Sequence, residues 1–352
     1  MFKNGWKRIS SPLFGRGPLH RISLGTTIVA VVVLVLGASY ASAAPGGASN
    51  NGQLRADQTR AYWTPERIKN AKARDVVRGG PVDAERGKPG GSTSGQVTGA
   101  SWTAPGLVKS ATGKIFFRLD GGDWTCSGSV VADGVSGRSL VLTAAHCAYD
   151  EVNDAFATQW MFIPDYDSLG SSSWYFGTSP CPFDKCWVAD NLVTTQKWAD
   201  NGSNKWEEDY AFAVVLDGQN SGSLENVVGG SLPLKFDNSY TAQTWIDAFG
   251  YPAGKPYTGS DLVYCAGNDH RLSDGLAQTT SIRCNMTGGS SGGPWLEGFD
   301  ATDQDPVGAV RSLTSYSYTS AKGYLFGPIF DAYTAATHDA AKTSSANTLV
   351  AG

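Results

Sequence analysis

The chain has 352 residues, 41% hydrophobic and only 17% charged, with 43 glycines, 11 tryptophans, 14 tyrosines and 14 phenylalanines. That is enough apolar surface for one large domain or two ordinary ones, and it excludes a disordered chain and a coiled coil. A single long apolar run excludes a polytopic membrane protein, and a net charge of −4 argues against a nucleic-acid partner.

Charge divides the chain into three unlike segments. Residues 1–43 carry five bases and no acids, residues 44–110 ten bases and five acids, and residues 111–352 thirteen bases and 27 acids. The first segment has a basic start, an apolar stretch over 22–40 and the small-residue run Ala41-Ser42-Ala43. This is the pattern of an export signal cut after Ala43, with an uncleaved anchor as the competing reading. The apolar core from Ile28 to Leu36 is short for a membrane span, which favours cleavage. The body is therefore expected outside the cell, secreted, and without stable membrane association once the signal is removed.

Residues 45–60 read as a flexible start. Thr64-Pro65-Glu66 then opens a helix, with Thr64 as N-cap, Pro65 in the first position and Glu66 at the positive end of the dipole. The expected helix runs to about Val77 and is stopped by Gly79-Gly80-Pro81, after which 79–100 reads as a linker. A basic helix ahead of an acidic body suggests a pro-segment that docks by charge and assists folding or blocks a site. The division is thus 1–43 signal, 44–104 pro-segment and linker, 105–340 main domain and 341–352 C-terminal tail, with processing somewhere in 79–104.

From Thr112 onward, short aromatic and β-branched runs alternate with turn clusters such as Asp120-Gly121-Gly122-Asp123. No βαβ alternation is visible, and the one helix candidate in the body is 328–337, so the fold class is all-β. Six cysteines behind an export signal read as three disulfides, with sequence order suggesting Cys126–Cys147, Cys181–Cys186 and Cys265–Cys284. No CxxC pair exists and the four histidines are scattered, so neither metal nor cofactor is expected. Asn201-Gly202-Ser203 and Asn285-Met286-Thr287 match the glycosylation pattern by chance.

Three places carry chemistry. His146 ends an apolar strand beside Cys147. Asp209, with Glu208 as its rival, stands just before the apolar strand that opens at Ala211. Ser291 sits in the run Thr287-Gly288-Gly289-Ser290-Ser291-Gly292-Gly293. Singly, each is explained by a structural histidine, a solvated acid and a loop. Together they supply a nucleophile, a base and an acid to orient the base, with glycine backbone free to turn N–H groups inward.

Thr143-Ala144-Ala145-His146-Cys147, Asp209-Tyr210-Ala211 and Gly289-Ser290-Ser291-Gly292-Gly293-Pro294 in this order resemble the chymotrypsin-like serine peptidases. The likeness is closest to secreted bacterial members, including the glutamyl-endopeptidase branch, which share a Gly-Tyr-Pro element (Gly250-Tyr251-Pro252 here). It spans roughly 112–335. The resemblance implies two packed six-stranded antiparallel β-barrels with a short C-terminal helix. It implies His146 as general base, Asp209 as its orienting carboxylate and Ser291 as nucleophile, with the oxyanion hole formed by the N–H groups of Gly289 and Ser291. It places the Cys126–Cys147 disulfide beside the histidine. The substrates would be proteins or peptides, cut by a monomeric enzyme without a cofactor.

The chain departs from the digestive members in two ways. Ser290 precedes the nucleophile where they have an aspartate, so no new N-terminus can pair there. Asn285 stands six residues before Ser291 where trypsin-type enzymes carry a pocket carboxylate, which removes the main support for Lys or Arg preference. The facing pocket wall is expected over 307–313, with Ser312 or Arg311 at the place where the family has a serine touching the buried aspartate, and Ser312 preferred. A catalytically silent binding domain on the same fold is the competing reading.

Overall fold

A computed structural model describes residues 50–80, 82, 94–169, 185–220, 222–237, 244–268, 275–276, 278–300 and 308–352. The expected signal segment and Cys181 lie outside the described residues. Among those described, no helix is long and apolar enough to cross a membrane.

The chain begins with two helices, α1 (Asn50–Tyr62) and α2 (Pro65–Asn70). Residues 50–60 of the stretch expected to be a flexible start are thus helical. Thr64 does cap α2, its side chain accepting the Arg67 N–H, but the helix stops at Asn70 instead of near Val77. The chain beyond it is extended, as β1 (Lys72–Ala73) and β2 (Val77–Arg78). Both find partners on other strands, and that non-local pairing overrides the local helical preference.

β3 (Val97–Ser101) follows, then a short helix α3 (Leu107–Ala111) and β4 (Thr112–Leu119), β5 (Gly122–Val131) and β6 (Arg138–Thr143). A small hairpin, β7 (Tyr149–Asp150) with β8 (Ala155–Phe156), leads to β9 (Thr158–Pro164), β10 (Trp187–Val188) and β11 (Asn191–Thr195). The helical turn α4 (Gln196–Ala199) precedes β12 (Ala211–Leu216), and α5 (Leu224–Val228) precedes β13 (Trp245–Gly250), β14 (Val263–Asn268) and β15 (Thr279–Arg283). The last part holds β16 (Pro294–Glu297), β17 (Ala309–Leu313), β18 (Tyr316–Tyr318), β19 (Tyr324–Pro328), α6 (Ala332–Thr343) and β20 (Thr348–Val350).

The protein is mostly β. One sheet runs β10-β9-β4-β5-β6-β12-β11-β20 with β1 added beside β5, a second β17-β16-β13-β14-β3, and a third β15-β19-β18-β2. These ladders hold nine, five and four strands and do not divide into two sets of six. One reason is that β1, β2, β3 and β20 come from stretches whose sequence reads as pro-segment, linker or tail. The C-terminal helix is present but starts four residues later than its sequence suggests. Pro328 is still paired with Thr279, and Asp331 forms the N-cap, accepting from Tyr333 N (2.9 Å) and Thr334 N (3.1 Å).

β4 shows how alternation distributes the core. Ile115, Phe117 and Leu119 enter the main apolar cluster with Val130, Leu142, Phe212 and Val214. Phe116 faces the other way and would be exposed, but Trp63 from the turn after α1 covers it, with ring centroids 5.6 Å apart. Trp63 is fully buried, and its Nε1 donates to Gln159 O at 2.6 Å. The ion pairs Arg55–Asp190 (2.6 Å) and Arg67–Asp123 (2.9 Å) join the basic helices to the acidic body. Such exposed pairs contribute about 0–1 kcal/mol each, so burial of Trp63 holds the helices more than charge does.

Candidate active site

Strand register brings the histidine and the acid together. Ala211 of β12 lies opposite Thr143 of β6 in an antiparallel ladder. The residue just before one strand therefore meets the residues just after the other. Asp209 Oδ2 lies 2.8 Å from His146 Nδ1, and Asp209 Oδ1 accepts the His146 backbone N–H at 2.9 Å. Ser315 Oγ also donates to Oδ2. Asp209 is fully buried. Burial alone would push its carboxyl up, but the adjacent His146 charge and these hydrogen bonds hold it below the usual carboxylate range. Glu208 faces elsewhere, accepting from Tyr210 Oη and from Lys197 Nζ at 3.1 Å, and burial raises its carboxyl.

Cys126 and Cys147 form a disulfide with Cα atoms 6.4 Å apart, tying β5 to the turn that carries His146. Cys265 and Cys284 form a second, and Cys181 of the third expected pair lies outside the described residues. Among the described residues the only metal-like cluster is Cys126, His146 and Cys147, and both sulfurs are already joined, which leaves one donor.

Ser291 lies in a loop whose backbone is hydrogen-bonded to Ser127 and Thr314. Ser127 Oγ donates to Gly289 O (2.8 Å) and accepts from Tyr251 N (2.8 Å), while Ser127 N donates to Ser291 O (2.8 Å). Gly292 N donates to Thr314 O at 2.7 Å. Gly289 and Gly292 have φ of 96° and 83°, and a Cβ on Gly292 would overlap Thr143 Oγ1 and Ser127 O. Only glycine fits this approach to the end of β6, three residues before the histidine. Ser290, the residue before the candidate nucleophile, turns its hydroxyl back to Thr287 O at 2.8 Å.

The site is not empty. Arg74 O lies 3.2 Å from Ser291 Oγ, which donates to it, and 3.5 Å from Gly289 N. The Asp75 side chain sits against Gly288, where a Cβ could not be added. His146 Nε2 is buried without a hydrogen-bond partner among the described residues. The segment after α2 thus passes directly over the nucleophile loop.

The pocket wall requires correction. Arg311 is buried and pairs with Glu297 and, at 3.5 Å, with Asp237, so it belongs to an ion cluster and not to a substrate pocket. Ser312 is fully buried, and its Oγ has no hydrogen-bond partner among the described residues. Neither reaches Asp209; Ser315 does. β17 carries a bulge opposite Trp295/Leu296, and the chain reaches the acid only after Leu313, three residues beyond Ser312. The hydroxyl run Thr314-Ser315 ahead of Tyr316-Ser317-Tyr318 was the signal available in the sequence. Asn285 is exposed; its N–H donates to Thr98 O at 3.0 Å, and its Oδ1 accepts from Tyr257 Oη.

No family model matches the chain, and no curated protein matches it. Solved structures do. A thermostable serine protease, AL20, from an extremophilic microorganism is 34% identical, with a TM-score of 0.55 over 68% of this chain and 99% of that one. The protease Anisep from Arthrobacter nicotinovorans is also 34% identical, with a TM-score of 0.57 over 70% of this chain and 100% of that one. A Glu endopeptidase structure shares the fold at 16% identity and a TM-score of 0.51 over 71% and 99%. With a serine protease and a second protease, each 34% identical, matched along essentially their whole length, this chain belongs to the chymotrypsin-like serine peptidases, resembles the glutamyl-endopeptidase branch in fold, and is a serine-type endopeptidase.

Proposed function

We propose that this endopeptidase is secreted and hydrolyses peptide bonds through Ser291, His146 and Asp209. The observation that carries this is the buried Asp209–His146 pair beside a serine loop that only glycine can form. Asp209 keeps the proton on His146 Nδ1, leaving Nε2 to take the Ser291 proton as Oγ attacks the scissile carbonyl. The N–H groups of Gly289 and Ser291 receive the oxyanion. His146 then returns the proton to the leaving amine, and water releases the acyl-enzyme by the same steps in reverse. In this reading the nine-stranded sheet belongs to one barrel and the five- and four-stranded sheets to the other. Residues 1–43 are the export signal and 44–104 the pro-segment and linker. The pairing of β3 with β14 supports a cut on the N-terminal side of Val97.

A fluorophosphonate probe tests the chemistry on protein recovered from the culture medium, with the label and the N-terminus mapped by mass spectrometry. Label on Ser291, absent in Ser291→Ala, is the expected result. A folded, processed protein that takes no label overturns it and leaves the silent binding domain.

A further inference from the structure

The segment from Lys72 to Gly80 is fastened along the whole cleft. Lys72 and Ala73 pair in parallel with Trp124 and Thr125 of β5, and Arg74 N donates to Thr125 O at 3.0 Å. On the far side of Ser291 the fastening passes to the other sheet. Ser317 N donates to Val76 O (3.0 Å), Thr319 N to Arg78 O (3.1 Å) and Ser320 Oγ to Gly80 O (2.7 Å). The segment adds a strand to two exposed edges at once.

Arg78 ends this track in a cage. Its guanidinium carbon lies 5.0 Å from the Trp206 ring centroid, 4.9 Å from that of Tyr316 and 5.1 Å from that of Tyr318. The rings support one another without the arginine. Trp206 meets Tyr316 edge-on at 5.1 Å, Tyr316 meets Tyr318 at 5.7 Å, and Phe326 stacks on Tyr316 at 5.4 Å. Three ring faces converging on one point suit a flat, weakly hydrated cation. Trp206 in turn meets Trp198, whose ring is 6.5 Å from His146, so two ring contacts link the cage to His146.

We propose that Trp206, Tyr316 and Tyr318 form a guanidinium-binding subsite of the cleft, and that the chain's own residues 72–78 use it to hold the peptidase closed. This rests on the peptidase reading above. The bound segment is not in position to be cut. Ser291 Oγ gives its hydrogen bond to the Arg74 carbonyl oxygen, and His146 Nε2 has no partner among the described residues, so the nucleophile–base bond that attack requires is absent. Arg74 does not compete for the cage, since its guanidinium lies over Trp124 at 4.9 Å. Once the segment leaves, the subsite is open to an arginine side chain of a substrate or inhibitor.

The test is the rate of fluorophosphonate labelling of Ser291 in the full chain. Arg78→Met keeps the apolar stem and removes the charge, and Trp206→Leu opens the cage. Each is expected to label about tenfold faster than the parent, and the double variant no faster than either single one, because both remove the same contact. Lys342→Met, whose ammonium pairs with Asp339 within α6 and touches neither the segment nor the cage, is expected to label at the parent rate. Thermal melts of all four confirm folding. On processed enzyme from the medium, the peptide of residues 72–80 should inhibit competitively, with its Arg78→Met form about tenfold weaker. Equal labelling of parent and Arg78→Met, or equal inhibition by the two peptides, overturns the subsite. No label on any form, processed enzyme included, overturns the peptidase reading and this inference with it.

Discussion

Ser315→Ala, set against Ser312→Ala, tests the assignment on which structure and sequence disagree. Ser315 supplies one of three hydrogen bonds to a carboxylate that no water reaches. A hydrogen bond to a charged group contributes about 1.5–3 kcal/mol, and leaving a buried lone pair bare adds to the loss. That loss divides between folding and catalysis, because Asp209 is ionised in the resting enzyme as well as in the transition state. We expect kcat/KM to fall about tenfold, or about 1.4 kcal/mol, as the carboxylate loosens and orients His146 less well. Stability at neutral pH should fall by about 1–2 kcal/mol. The pH dependence has a definite sign. A carboxyl held below its unfolded value stabilises the fold above that value, and the stabilisation is lost as pH falls through the folded value. Ser315→Ala raises the folded value, so the window narrows and acid unfolding moves to higher pH. Ser312→Ala removes a buried hydroxyl that has no partner among the described residues, so its stability should stay within about 0.5 kcal/mol of the parent, with kcat/KM unchanged. Steady-state kinetics of processed enzyme and urea melts at pH 7 and pH 4 measure all of this. If Ser312→Ala loses activity and Ser315→Ala does not, the assignment is wrong.

Two further expectations follow from burial. Lys114 lies inside the protein, donating to Gly259 O at 3.0 Å, and burial lowers its amine to about 8. Its penalty on stability is full below pH 8 and is relieved as pH rises towards the unfolded value, so Lys114→Met should raise the melting temperature at pH 7, and by less at pH 10. Gly292→Ala should lower kcat by at least about 10²-fold, because the methyl meets Ser127 O and Thr143 Oγ1 and displaces the serine loop by a distance on the order of 1 Å. A near-parent kcat for Gly292→Ala would show that the loop can shift without harm.

The sequence by itself determined what depends on short stretches. It marked Thr64 as a cap, the glycines around Ser291, the strands on either side of His146 and Asp209, and the cysteines that pair as Cys126–Cys147 and Cys265–Cys284. These are local because a cap, a tight turn and a strand each satisfy their own neighbours. Sequence could also name His146, Asp209 and Ser291 as the residues with the right chemistry. It could not bring His146 and Asp209 within reach of each other, since that depends on Ala211 lying opposite Thr143 in the ladder. Other features were decided only by tertiary contact. Ser315 displaced Ser312 because a bulge and a short turn set which hydroxyl reaches Asp209. The helix expected to reach Val77 ended at Asn70 because residues beyond it found hydrogen-bond partners on β5 and β18, about 50 and 240 residues away. β20 likewise left the expected tail to pair with β11. Backbone groups must be satisfied somewhere, and an open strand edge can outbid a local helix only when the whole fold has placed it there.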